Sequence, residues 1–403
     1  MSRILLDLTH TSHTRARTGI QRVCRSLHAA LAGQGGGVEP ICHDPYEGRW
    51  RRLRRWERRN LAASLDAGAA TRGARWPLRA RLAGWLRRRL APASAPGLRP
   101  AELAGGLIVP ELFSPPVGRA LPSLLAATAG PRVAVFHDAI PLRLPELSPP
   151  KIVARFPAYL QELLAFDGVA AVSDDSQAAL VDYWRWLGAA DPPPVVVLAP
   201  GVDAPLASPF GHTHAPGAPP VVLTVASIEG RKNHVALLDA CESLWRRGRR
   251  FELRLIGLAQ PQTGRDALAR LRALQSAGRP VRYEGPAGDD TVRAAYRDCA
   301  FTVYPSLMEG FGLPVLESLS YGRPCVCPAH GPLGASARDG GCLRLERLDA
   351  EAIAGAVDRL LTDPECLEAL TQGAARRTFR TWPEYARELT AWMETLPRRA
   401  RAA

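Results

Sequence analysis

Lysine is almost missing from this chain: Lys151 and Lys232 stand alone beside 50 arginines in 403 residues. A bias this deep reflects the coding genome, and it marks a retained lysine as a candidate for a role that arginine does not fill. No apolar run is long enough to span a bilayer. The opening Met1-Ser2-Arg3-Ile4-Leu5-Leu6-Asp7-Leu8 reads as a strand and lacks the apolar core of a signal peptide, so the expectation is a cytoplasmic chain. There is no Cys-x-x-Cys pair. The eight cysteines are scattered, Cys325 and Cys327 flank one residue of an expected buried strand, and all eight read as reduced core thiols rather than metal ligands or disulfides.

The positive charge that is present is concentrated. Of a formal net charge of +13, residues 49–89 carry 14 arginines against only Glu57 and Asp66. A localised basic patch implies a localised anionic partner. Within it Leu78, Leu82, Leu86 and Leu90 recur every four residues with Trp85 beside them, and Arg79, Arg81, Arg87, Arg88 and Arg89 take the other faces. That is the pattern of a basic amphipathic helix lying in a membrane interface. The plainer reading is an insertion packed on its own domain with a solvated arginine face. Nucleic-acid binding is the weakest reading, because nothing else resembles a nucleic-acid module.

Around this segment the chain alternates buried strands with helices. Residues 3–8 form a strand, followed by a polar loop to Thr18 and a helix from Gly19 through Leu31. Strands are expected at 107–109, 133–136, 169–172 and 195–198, then at 221–225, 251–256, 281–284, 300–303, 324–327 and 342–345. Trp184 and Trp186 read as helix packing. A Pro-, Gly- and Ala-rich stretch at 204–219, holding His212 and His214, reads as a linker rather than a metal site. The expected architecture is α/β, two Rossmann-like parallel-sheet domains facing a cleft. Residues 1–205 form the first with an insertion at 45–100, 206–219 the linker and 220–381 the second. A final helix in 382–403 returns to the first domain.

Open α/β sheets place their chemistry where strands end in loops. Ser306 to Pro324 reads loop, short helix, stop. Gly310 and Gly312 bare the backbone, Pro314 suits a helix start, and Glu309 and Glu317 frame the loop. Two acids beside an anion site suit a ligand with both hydroxyls and phosphate, as a nucleotide-sugar has. Arg231 and Lys232, adjacent cations at a helix start, suit a diphosphate, although a surface ion pair is the bland alternative. His137, at a strand end before Asp138, reads by itself as a core histidine. No Asp-x-Asp occurs to hold a metal on a diphosphate, so neutralisation by Arg231 and Lys232 is expected, with no metal and no cofactor.

Glu309-Gly310-Phe311-Gly312-Leu313-Pro314-Val315-Leu316-Glu317 resembles the Glu-x7-Glu signature of the retaining GT-B glycosyltransferases of family four. Ser227 to Asn233 resembles that family's phosphate segment in the mannosyltransferase-like subgroup with adjacent Arg and Lys. His137-Asp138 resembles its His-Asp segment. Val172-Ser173 and Pro200 to Asp203 resemble the segments that close its first domain. Thr18-Gly19-Ile20-Gln21-Arg22 resembles its N-terminal glycine loop, with Gln21 where a second glycine is more usual.

The resemblance implies that Glu317 binds the donor ribose and Glu309 the donor sugar's hydroxyls. It implies that the amides of Gly310, Phe311, Gly312 and Leu313 hold hydroxyls or phosphate, that Arg231 and Lys232 neutralise the leaving diphosphate, and that Gly19 lies on the donor loop. His137 would contact the donor sugar from the opposite domain, and Gly285 would flank the base. The expected donor is GDP-mannose, with a UDP-sugar next. The acceptor would be a saccharide or polyprenyl-linked saccharide, met at the inner membrane face through residues 49–90. The rival readings are a nucleotide-sugar epimerase or hydrolase of the same fold, and a non-catalytic basic binding protein.

Overall fold

The computed structural model describes residues 3–14, 16, 19–35, 37–62, 75–90, 97–203 and 217–399. Each half of the chain builds one sheet. The first uses β1 (Ile4–Asp7), β2 (Val38–Asp44), β3 (Arg49–Arg52), β4 (Leu107–Val109), β5 (Arg132–Phe136), β6 (Gly168–Ala171) and β7 (Val195–Val197). Its order is β3-β2-β1-β4-β5-β6-β7, parallel except for β3. The second uses β8 (Val221–Val225), β9 (Glu252–Ile256), β10 (Val281–Tyr283), β11 (Phe301–Val303), β12 (Cys325–Pro328) and β13 (Cys342–Leu345). Its order is β10-β9-β8-β11-β12-β13, all parallel.

Strands such as Leu107-Ile108-Val109 and Val133 to Phe136 are apolar on both faces and fully buried, so helices must cover both sides. The strand order reverses between β1 and β4 and again between β8 and β11, and at each reversal the loops diverge and leave a crevice. Helix ends are fixed by side chains. Ser173 accepts from the Ser176 amide, and Asp349 from that of Ala352. Thr381 and Glu384 form a reciprocal capping box at the start of Trp382–Thr395. That last helix lies against Gly19–Gly33, and its Tyr385, Leu389 and Met393 join the core of Leu6, Ile108 and Val133 in the first sheet.

Three expectations change. The break expected over 45–100 is narrower, because Arg49–Arg52 is an edge strand paired with β2, and β2 is itself a strand that the pattern did not reveal. Trp50 is buried there, and its indole donates to the Ala120 carbonyl at 3.0 Å. The basic patch is also partly neutralised from within. Arg51 pairs with Glu57 at 2.7 Å and Asp44 at 2.9 Å, Arg58 with Glu39 at 2.7 Å, and Arg54 with Glu47. Residues 63–74 and 91–96 lie outside the described residues. The helix Leu78–Leu90 packs on the first half through the small residues Ala80 and Gly84, which leaves Leu78, Leu82, Leu86 and Leu90 72%, 63%, 51% and 81% exposed.

Trp184 is buried and its indole donates to the Leu160 carbonyl at 2.8 Å, but Trp186 stands in solvent because two residues along a helix is more than half a turn around it. The linker at 206–219, with His212 and His214, lies outside the described residues apart from 217–219. Among the described residues no helix is long and apolar enough to cross a membrane.

Candidate active site between the two sheets

The crevice of the second sheet gathers Arg231, Lys232 and Glu309. After β8 the chain makes a short turn over Gly230–Lys232 and passes through Asn233 in the left-handed region (φ 56°) into the helix His234–Arg246. Asparagine tolerates that backbone, and its Nδ2 donates to the Leu348 carbonyl at 2.8 Å. The turn aims both cations at the loop after β11. Arg231 Nη1 donates to Glu309 Oε2 at 2.7 Å and to the Met308 carbonyl at 3.0 Å, while Lys232 Nζ pairs with the other Glu309 oxygen. Burial by itself would raise the Glu309 pKa, but Arg231 and Lys232 outweigh it and hold the carboxyl down at about 2. Burial lowers the Lys232 pKa, with Glu309 opposing. Burial also opposes the charge of Arg231, and there Glu309 and Glu229 prevail and raise its pKa.

The glycine loop faces the other half of the protein, not only a ligand. A side chain at Gly310 would place its Cβ 2.3 Å from the His137 carbonyl, and one at Gly312, which has φ 125°, 2.7 Å from Ser336 Oγ. Ser173 Oγ donates to the Gly310 carbonyl at 2.7 Å and Ser176 Oγ to the His137 carbonyl at 2.8 Å. Phe311 and Leu313 pack on the core of the first half. The bareness read as access for a ligand therefore also serves the close approach of two backbones.

Glu317 is buried on the helix Leu313–Ser320 and takes a hydrogen bond from Tyr296 at 3.3 Å, and Tyr296 in turn meets Tyr304 at 2.8 Å. Arg22 pairs with Glu317 across the cleft, from the helix that begins at Gly19. Gly19 opens that helix one turn before Arg22, and among the described residues nothing stands within 4 Å of where its Cβ would be. Gly285, left-handed at φ 64°, closes the loop after β10, and its carbonyl accepts from the Gly257 amide at 2.8 Å.

His137 and Asp138 come from the first half. The His137 ring donates from Nε2 to the Pro110 carbonyl at 2.7 Å, and burial lowers its pKa, so it stands neutral. Asp138 is the group that lines the cleft. A cavity of about 260 Å³ is bounded by Asp138, Arg143 and Asp175 on one side and by Glu309 and His330 on the other. Burial raises the Asp138 pKa while the Arg231 charge opposes it across the cleft. Arg22, Asp138 and the hydroxyls of Ser173 and Ser176 are the residues to which sequence reasoning gave no role. The available signal was position, since Asp138, Ser173 and Ser176 follow strand ends and Arg22 lies on the first turn of the helix after β1. Among the described residues two groups of three metal-ligand side chains occur, Cys325, Cys327 and Cys342, and His13, Cys42 and Glu57, and neither lines this cavity.

Two Rossmann-like sheets facing a cleft, with a returning last helix, are the GT-B fold of sugar-transferring enzymes. Sucrose-phosphate synthase from Thermosynechococcus elongatus superposes with a TM-score of 0.68 over 97% of this chain and 98% of that one, at 19% identity. Residues 210–377 match the family described as "Glycosyl transferases group 1". A D-inositol 3-phosphate glycosyltransferase of Frankia alni is 33% identical over 232 residues, 51% of this chain and 53% of that protein. The serotype-specific mannosyltransferase WbdA of Escherichia coli is 26% identical over 343 residues, 80% of this chain and 38% of that protein. The chain thus spans about half the length, or less, of these curated relatives.

Proposed function

We propose that this protein is a retaining glycosyltransferase that moves a hexose, mannose first among them, from a nucleotide-sugar to a saccharide or lipid-linked saccharide in cell-surface polysaccharide synthesis. The observation that carries this reading is the pairing of Arg231 and Lys232 with Glu309 at the crevice of the second sheet, opposite Asp138 of the first. The group 1 match over 210–377 supports sugar transfer, and the likeness to a mannosyltransferase supports mannose.

Breaking the bond between sugar and diphosphate builds negative charge on the leaving phosphate. Fixed cations stabilise that charge more in the transition state than in the ground state. A diphosphate seated on Arg231 and Lys232 would exchange with Glu309 and turn that carboxylate toward the sugar's hydroxyls. Glu317, Gly19, Gly285 and the amides from Gly310 to Leu313 complete the donor site in this reading, with His137 neutral beside it. The two cations act here without a metal, so activity should survive a chelator. Attack occurs on the face the phosphate leaves, with the phosphate taking the acceptor's proton. Trapping the sugar as an ester of Asp138 or Glu309 would overturn that step.

The enzyme works at the inner membrane face in this reading, with the exposed leucines and arginines of Leu78–Leu90 meeting anionic lipid. The deciding experiment measures nucleoside diphosphate release from GDP-mannose and UDP-sugars with and without a saccharide acceptor. Release only with acceptor, and retention at the anomeric carbon by NMR, are expected. Release or isomerisation of the donor without acceptor would favour the epimerase or hydrolase reading.

A further inference from the structure

At the reversal of strand order in the first sheet, the ends of β1 and β4 open on a second cavity, of about 150 Å³. Asp7, the last residue of β1, and Glu111, two residues beyond β4, both line it and both are buried. Each is held by fixed donors. Glu111 accepts from the amides of His10 at 2.7 Å and Thr11 at 2.6 Å, and Asp7 from the amide and hydroxyl of Thr9 at 3.0 and 2.6 Å. Burial pushes both carboxyls up to about 7, and at Asp7 the charge of Glu111 adds to it.

The other titratable groups packed around the pair leave it negative. Arg25 acts on Glu111, but its guanidinium donates to the carbonyls of Thr11, Thr14, Asn60 and Leu61. His13 is engaged by Glu57 at 2.9 Å. The thiols of Cys24 and Cys42 face the pair with their own pKa values raised by burial. His10 and His43 line the cavity. His43 is 7% exposed, is kept neutral by burial, and its Nδ1 is buried without a hydrogen-bond partner. Trp76 adds an aromatic wall, stacked on His13 with ring centroids 3.8 Å apart. One residue joins this cavity to the cleft, because the Pro110 carbonyl before Glu111 accepts the His137 hydrogen bond.

We propose that this cavity seats the acceptor, and that the acceptor presents a protonated amine to Asp7, Glu111 and His43, as an amino sugar or amino alcohol does. The inference rests on the sugar-transfer reading above. An ammonium carries three donors, and two carboxylates with an imidazole nitrogen offer three acceptors. A neutral hydroxyl carries one donor and leaves two buried acids facing one cavity without a cation. Seating the ammonium ionises both acids, so protons that the pair holds near pH 7 leave for solvent as the amine binds.

The test is calorimetry on the full chain with nucleoside diphosphate present, comparing methyl glucosaminide with methyl N-acetylglucosaminide at pH 7 in two buffers of different ionisation heat. The amine should bind at least about tenfold tighter, a difference that two charge-assisted bonds readily supply, and should release up to about one proton. Asp7→Asn and Glu111→Gln should each erase the preference. Equal affinity for the two probes, or a preference that survives both substitutions, overturns the proposal. Should those variants fail to fold, the wild-type protein decides: amine affinity should fall from pH 7.5 to 5.5 while acetamide affinity stays level, and a flat amine profile overturns it. Donor turnover with a neutral acceptor but no amine preference sinks this inference alone. Absence of nucleotide-sugar binding sinks the sugar-transfer reading instead.

Discussion

At the scale of single residues the site is a set of charges held close to one another. Glu309 is ionised between two cations, and its pKa of about 2 lies below the ordinary 4.5. In that window the folded protein binds fewer protons than the unfolded chain, so stability rises with pH there. The Glu309 contribution is complete above about pH 4.5 and is lost as pH falls toward 2. Urea unfolding of wild type and Glu309→Gln should therefore differ most at neutral pH and converge toward pH 2. If Lys232 carries the proposed role, Lys232→Ala should lower sugar-transfer turnover on the order of a hundredfold with the fold retained, read by steady-state kinetics beside a thermal melt. Gly310→Ala forces a Cβ to within 2.3 Å of the His137 carbonyl, and overpacking of that kind costs about 1–3 kcal/mol. The cost falls on the approach of the two halves, so kcat/KM should drop tenfold or more, read by steady-state kinetics. Gly285→Ala meets nothing within 4 Å and carries only the left-handed backbone cost of about 1–2 kcal/mol.

At the scale of elements, two arginine-rich pieces that look alike in sequence behave differently. Arg51 on β3 is buried between Asp44 and Glu57, so Arg51→Ala strands two buried carboxylates and should cost about 3–5 kcal/mol, seen as a large fall in Tm. The helix Leu78–Leu90 presents its leucines outward, with the Arg89 guanidinium 3.8 Å from the Trp85 ring centroid. A leucine that inserts into an interface gains about 1.5–3 kcal/mol. Replacing Leu82 and Leu86 together by Ser should lower binding to anionic vesicles by tenfold or more and leave Tm unchanged, which vesicle sedimentation beside a thermal melt will check.

At the scale of the whole molecule, the halves are held face to face by the Arg22 and Glu317 ion pair, by the hydroxyls of Ser173 and Ser176 on the Gly310 carbonyl, by Phe311 against the core of the first half, and by the last helix on Gly19–Gly33. The Arg22 side chain is about one-third exposed, so salt reaches that pair. Arg22→Ala should increase the radius of gyration in small-angle scattering, and raised ionic strength should move wild type toward the same value. The Asp7 and Glu111 pair works in the opposite direction to Glu309. Its carboxyls hold protons that the unfolded chain has released, so it costs stability as pH rises from about 4 to 7.

The sequence alone determined the two-sheet rhythm and most of the strand positions, because a parallel strand buried on both faces is written as a run of aliphatic residues. It also determined that Arg231, Lys232 and Glu309 would stand together, since each follows a strand and strand ends in such sheets share one edge. Tertiary structure decided the rest. An arginine-rich edge strand carries no aliphatic run, so β3 became visible only when β2 paired with it and the acids Asp44 and Glu57 took up its charge. Gly310 signalled open backbone, yet what crowds a Cβ there is a carbonyl from the other half. Arg22 found Glu317, and Asp7 found Glu111, through strand order and domain packing. Periodicity records which face of an element is buried and does not record which distant element will cover it.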